Sequence, residues 1–123
     1  MTLADRGLVA LGALSGILGV ALSAVAAHLT GSGSLQTAAQ FLLFHAPGLL
    51  ALVALISSGA IGPRLARLAG YVMAVGLILF CGDLSGRALA GVTLAPMAAP
   101  TGGVLLMVGW GLAGAAAFIR PPR

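Results

Sequence analysis

The chain has 123 residues, 60% hydrophobic and 7% charged, with a mean hydropathy of +1.15. Soluble domains carry about 25% charged residues, so this composition excludes a soluble module and belongs to an integral membrane protein. The formal net charge of +4 comes from six arginines and two aspartates, with no lysine. The arginines stand singly or in pairs at the ends of apolar runs, which is a topology signal and excludes a nucleic-acid patch.

The first apolar run is Gly7 to Ala27, after Asp5 and Arg6. Its Ala24-Val25-Ala26 string resembles a signal-peptidase site, but the run exceeds a signal-peptide core of about 7–15 residues. About 20 residues suffice to span a bilayer, so residues 7–27 are expected to form a first membrane helix. Gly12, Gly16, Gly19, Ser23 and Ala26 fall on one face at helical spacing. In lipid such a strip lets another backbone approach closely. It serves either packing against the chain's own helices or a contact between subunits.

His28 to Leu35 reads as a short polar turn in which Gly31 and Gly33 break the helix. The second helix is expected over about residues 35–58, followed by a break at Gly59 to Pro63 and then Arg64 and Arg67. A third helix from Arg67 to Gly82 would have only sixteen residues. That is too short for about 30 Å of hydrocarbon, so the helix must continue to about residue 90. Its expected span is 66–90, with Asp83 inside and Arg87 near the far end. Val92 to Ala99 is a loop with Pro96. The fourth helix is expected over about 100–119, since Pro100 suits a first-turn position.

The expected architecture is therefore all-α: one membrane domain over residues 1–123, a polytopic four-transmembrane-helix bundle. Arg6, Arg64, Arg67, Arg120 and Arg123 fall on one side and only Arg87 on the other. By the positive-inside rule both termini are cytoplasmic, in a bacterial inner membrane.

Few polar residues enter the apolar segments. His45 lies about ten residues into the second helix, about 15 Å deep at 1.5 Å per residue and near the bilayer middle. Ala38, Phe41, Gly48, Leu49 and Leu52 share its face. An intramembrane ionisable residue is a functional hypothesis by default. The readings for His45 are a neutral ring bonded to a neighbouring carbonyl or hydroxyl, a proton-relay or substrate contact, and a metal or haem ligand. Gln36 and Gln40 share a face about 140° from His45 at about 100° per residue, so the three do not line one small pocket. The glutamines belong to the interface.

Asp83 and Arg87 are four apart with the acid first, the favourable order for a helix pair. They form either a local ion pair or, with Asp83 set between His28 and His45 in depth, part of a proton path. Trp110 falls mid-helix with Gly103, Gly114 and Ala117 on its face, a bulky knob on a small-residue surface. Cys81 is alone and cannot form an intrachain disulfide. No HExxH, CxxCH or Walker loop occurs.

Three local strings carry a resemblance. They are GALSGILGVALSAVAAHL from Gly12 to Leu29, QTAAQFLLFHA from Gln36 to Ala46, and PTGG with GW at Pro100 to Gly103 and Gly109-Trp110. Their order and spacing resemble the small membrane-protein family known as domain of unknown function 423, whose eukaryotic relatives include transmembrane protein 256. The resemblance covers nearly the whole chain and implies four membrane helices without an assigned activity. Its motif residues here are Gly12, Gly16, Gly19, His28, Gln36, Gln40, His45, Pro100, Gly102, Gly103 and Trp110. Family members look more apolar around Cys81 to Arg87, which sets Asp83 and Arg87 apart.

The expected function is a non-catalytic membrane component, either an accessory subunit of a larger complex or a homo-oligomer, with Gly12, Gly16, Gly19, Ser23, Gly103 and Trp110 as packing or interface residues. Its partners are lipid and other membrane subunits or itself, and not nucleic acid. One alternative is a small proton-coupled transporter or channel using His45 and Asp83. Another is a haem- or quinone-binding redox subunit; the residues assign no cofactor.

Overall fold

In the computed structural model, which describes residues 1–30 and 33–121, Thr2 sets the start of the first helix. Its Oγ1 accepts from the Asp5 amide at 3.2 Å, and Asp5 Oδ2 accepts from the Thr2 amide at 2.9 Å. This reciprocal capping box satisfies two amides that the first turn leaves without partners. Helix α1 therefore runs Leu3–Val25 and takes in Asp5 and Arg6, which the sequence reading set ahead of it. A π-helical turn, Ala26–Thr30, continues it and carries His28. Of the expected breakers, Gly31 lies outside the described residues and Gly33 opens the next helix instead of ending one.

Helix α2 spans Gly33–Ser57 with Pro47 inside it. Helix α3 spans Pro63–Ala90, with proline in its first turn, where no hydrogen bond is lost. It ends on Gly91, whose left-handed φ of 66° lets the Gly91 amide reach Arg87 O and the Val92 amide reach Gly86 O; the first of these is the bond of an αL cap. Helix α4 spans Ala98–Ala116, two residues earlier than Pro100 at its start and three short of Ile119 at its end. Its end tightens through bonds from Phe118 N to Ala115 O and Ile119 N to Ala116 O, the i→i−3 pattern.

All four helices are long and apolar enough to cross a membrane. No strand occurs among the described residues. Helix α1 packs on α2 and α3 on α4, and the two hairpins join along α2 and α3. Leu8, Leu42, Leu49, Met73, Leu77 and Leu106 fill the centre. A smaller apolar cluster at the α2–α3 turn includes Ile56, Ile61 and Ala116. That turn is tied to the end of α4 by a bond from Gly62 N to Ala116 O at 2.9 Å.

Glycine lets both hairpins close. A Cβ on Gly102 would stand 2.5 Å from Phe80 N and 2.7 Å from Gly76 O, so α3 and α4 touch backbone to backbone there. In α1, a Cβ on Gly19 would stand 2.7 Å from Leu43 Cγ, and one on Gly12 3.1 Å from Ala46 O. Gly16 is looser, with Ala46 Cβ at 3.7 Å. Lipid supplies little hydrophobic drive between helices, so close packing of this kind carries the association.

Gly102 and Gly103 make a controlled comparison. Gly102→Ala is expected to destabilise the detergent-solubilised protein by about 1–3 kcal/mol, as overpacking does. Gly103→Ala should be near neutral, because its Cβ would meet only Phe80 Cδ2 at 3.9 Å. Thermal unfolding followed by circular dichroism checks both.

Candidate functional site

His45 is brought to the bundle interior by the same helical phase that carries Leu42 and Leu49 into the core. It is 5% exposed. Its Nδ1 lies 2.7 Å from Phe41 O, one turn back on α2. The indole N–H of Trp110 on α4 donates to its Nε2 at 3.0 Å. A carbonyl only accepts and an indole N–H only donates. These partners assign the ring as the neutral Nδ1–H tautomer with Nε2 as acceptor.

Trp110 reaches α2 because Gly48 leaves it room: a Cβ there would stand 3.4 Å from the indole. The sequence reading placed Trp110 among Gly103, Gly114 and Ala117 of its own helix; its indole instead crosses to the neighbouring hairpin. Phe41 extends the cluster. Its ring centroid lies 4.6 Å from that of Phe80 on α3, and the His45 and Trp110 centroids are 5.6 Å apart. Aromatic pairs within 4.5–7 Å are favourable, so side chains of α2, α3 and α4 form one aromatic file with the imidazole inside it.

Asp83 is fully buried on α3. Its Oδ2 accepts from Arg87 Nε at 2.9 Å and its Oδ1 from the Leu94 amide at 2.9 Å. The carboxylate thus holds the α3–α4 connection against the end of α3, with the Arg87 head half exposed. The partners of His45 are Phe41 and Trp110 and those of Asp83 are Arg87 and Leu94, so among the described residues no hydrogen bond joins these two groups. His28, Gln36 and Gln40 are exposed, away from the buried ring. Ser23 is partly buried on α1.

A second buried acid escaped the sequence reading. Asp5 is 2% exposed and receives Arg67 Nε at 2.7 Å and Arg67 Nη2 at 3.3 Å on its two oxygens. Beside it, the Tyr71 hydroxyl donates to Ala4 O at 2.6 Å. Together they fasten the start of α1 to α3. The available signal was Thr2-x-x-Asp5, a capping-box spacing that moves the acid into the helix. Its distant partner had no local signature.

A groove of about 400 Å³ runs between α1 and α3 over a floor from α2. Leu14, Leu18, Leu42 and Leu77 line it with hydrocarbon, and Cys81 and Ser85 add the few polar atoms. The Cys81 thiol donates to Ala38 O at 3.5 Å. Among the described residues, no three of His, Cys, Asp and Glu converge as metal ligands. His45 Nε2, a nitrogen that could ligate a haem or metal, already accepts the hydrogen bond of the Trp110 indole N–H. The arrangement fixes a tautomer and ties helices together.

Comparison with known proteins places this geometry in a family. The family model described as "Protein of unknown function (DUF423)" matches residues 22–103, a span that holds His45 and Asp83 but not Trp110. Over 107 residues the chain is 33% identical to the UPF0382 membrane protein YwdK of Bacillus subtilis (strain 168), covering 81% of this chain and 86% of that relative. No solved structure matches significantly.

Removing the indole donor tests the His45 assignment. Trp110→Phe keeps a ring over Gly48 but leaves Nε2 without its partner, and a buried polar atom left so costs about 1–3 kcal/mol. A lower melting temperature is expected, with a shifted imidazole Nε2 resonance in nitrogen-15 spectra. An unchanged resonance would mean the indole does not bond the ring.

Proposed function

Since the chain belongs to the DUF423 family of membrane proteins of unknown function, we propose that it is a non-catalytic membrane component that works by lateral association, as a homo-oligomer or as an accessory subunit. The outer face of α4 carries this reading. The α4 span, like that of α1, is 22% buried, against 44% for α2 and α3; what sets α4 apart is its uncovered glycines. Val104, Met107, Gly111, Gly114 and Phe118 recur there at helical spacing, and all are exposed. A Cβ on Gly111 or Gly114 would meet nothing within 4 Å.

The contrast with the other helix glycines supports it. Gly12, Gly19, Gly76, Gly102 and Gly109 each receive a neighbouring helix of the same chain. Gly111 and Gly114 do not, although glycine in a helix costs about 1 kcal/mol relative to alanine. A helix from another chain supplies the missing packing, with glycines as the notch between bulky Met107 and Phe118. The internal partners of His45 and Asp83 favour this reading over transport. The imidazole and the carboxylate are each already committed to partners within the chain, and among the described residues the two groups share no bond.

The same reading sets the orientation. The start of α1, the α2–α3 turn and the end of α4 meet at one end, through Arg67 with Asp5 and Gly62 with Ala116. Arg6, Arg64, Arg67 and Arg120 lie at that end, and Arg87 at the other. The positive-inside rule makes it the cytoplasmic face of a bacterial inner membrane.

The test is Gly111→Leu with Gly114→Leu, read by single-molecule photobleaching in liposomes and by co-purification in mild detergent. Association at least tenfold weaker, with an unchanged melting temperature, is expected. A wild-type chain that stays monomeric and partner-free in both settings would sink the reading.

A further inference from the structure

The chain has two acidic residues and both are committed: Asp5 to Arg67 and Asp83 to Arg87. Arg64 and Arg120 therefore have no acidic partner among the described residues. They nevertheless share one pocket of about 390 Å³, formed with Gly62, Pro63, Leu65 and Ile119 where the α2–α3 turn meets the end of α4. Two positively charged residues lining one pocket favour an anion in it.

The start of α3 adds to the same field. Its cap residue is Gly62, which has no side chain to accept from the first turn. The Gly62 amide is spent on Ala116 O, the Ala66 amide on Gly62 O, and Pro63 has no N–H. The Arg64 and Leu65 amides are the open first-turn donors, at the positive end of a 28-residue helix.

The walls of the pocket are of a different kind. Pro63, Leu65 and Ile119 are apolar, and Phe118 stands exposed next to them. The pocket lies at the ends of two membrane-length helices, the level at which lipid headgroups meet acyl chains. A soluble phosphate ion would use the arginines and leave the apolar walls bare. A phospholipid uses both.

We propose that this pocket binds the phosphate of an anionic phospholipid, with Arg64, Arg120 and the open amides of α3 on the headgroup and Leu65 and Ile119 along the first carbons of a tail. Guanidinium groups suit phosphate oxygens because they form two parallel charge-assisted bonds. The zwitterionic choline headgroup would bring a cation beside two arginines and bind less well.

Native mass spectrometry of the full chain, stripped of lipid by detergent exchange, tests this. It is titrated separately with phosphatidylglycerol, phosphatidylcholine and inorganic phosphate. One phosphatidylglycerol per chain is expected, at least tenfold tighter than phosphatidylcholine or phosphate. Arg64→Gln with Arg120→Gln should lose at least tenfold in phosphatidylglycerol affinity. Arg6→Gln, which removes an exposed arginine outside the pocket, should bind as wild type. Arg64→Lys with Arg120→Lys keeps the charge without the fork and should lose several-fold; it carries the test if the glutamine variant does not fold. Equal losses in Arg6→Gln and the double variant would mean diffuse surface charge and overturn the site. Inorganic phosphate binding as tightly as the lipid, or phosphatidylcholine matching phosphatidylglycerol, would overturn the anionic-lipid assignment.

Discussion

The middle of a bilayer holds no water to satisfy a polar side chain, so a group placed there must find its partner in protein. That constraint explains where the polar residues of this chain go. The hydroxyl of Ser15 turns back to Leu11 O, and the Cys81 thiol reaches Ala38 O on the neighbouring helix. His45 takes one partner from its own helix and one from α4. Each long-range bond then doubles as a fastening. Trp110 with His45 joins the second hairpin to the first, Asp83 with Leu94 closes the α3–α4 connection, and Asp5 with Arg67 pins α1 to α3.

Glycine sets how closely the fastened helices can lie. The α3–α4 pair meets through Gly76, Gly102 and Gly109, and the α1–α2 pair through Gly12 and Gly19. Dispersion falls off steeply with separation, so the absent side chains strengthen contact along the entire interface. The hydrogen bonds choose which helices meet and in what register; the glycines let them meet closely. The groove between α1 and α3 shows the converse. Leucines line both walls there, and the two helices stay apart.

The ends of the bundle divide the remaining polarity. At one end the chain has more guanidinium groups than carboxylates to answer them; at the other, a single arginine is paired with a buried aspartate. An excess of charge at a membrane surface attracts counter-charge from lipid, whereas a paired charge does not. The outward face of α4 adds a second open surface, apolar and notched. Apart from the Ser85 hydroxyl, the buried side-chain nitrogens and oxygens among the described residues have partners, so most of the unanswered charge and the open glycine face lie on the surface.

Composition and segment length alone determine four membrane-length helices, because a span of about 30 Å demands about 20 apolar residues whatever the tertiary fold. The same length requirement carries α3 through Asp83, and the spacing of Asp83 and Arg87 makes their pair readable, since they lie one turn apart on one helix. Helical phase likewise separates His45 from Gln36 and Gln40, and the structure leaves the glutamines exposed and the ring buried. The bonds between distant residues were not legible. Trp110 and His45 are 65 positions apart and Arg67 and Asp5 are 62 apart; nothing in a local window links them. Nor could spacing say which glycine stripe is covered, because a helix shows the same small residues to its own chain and to a foreign one. Only the packing of α2 onto Gly12 and Gly19, and the absence of any neighbour at Gly111 and Gly114, decided that. Pattern within one helix follows from its 3.6-residue period, and which helix lies opposite follows from tertiary contact alone.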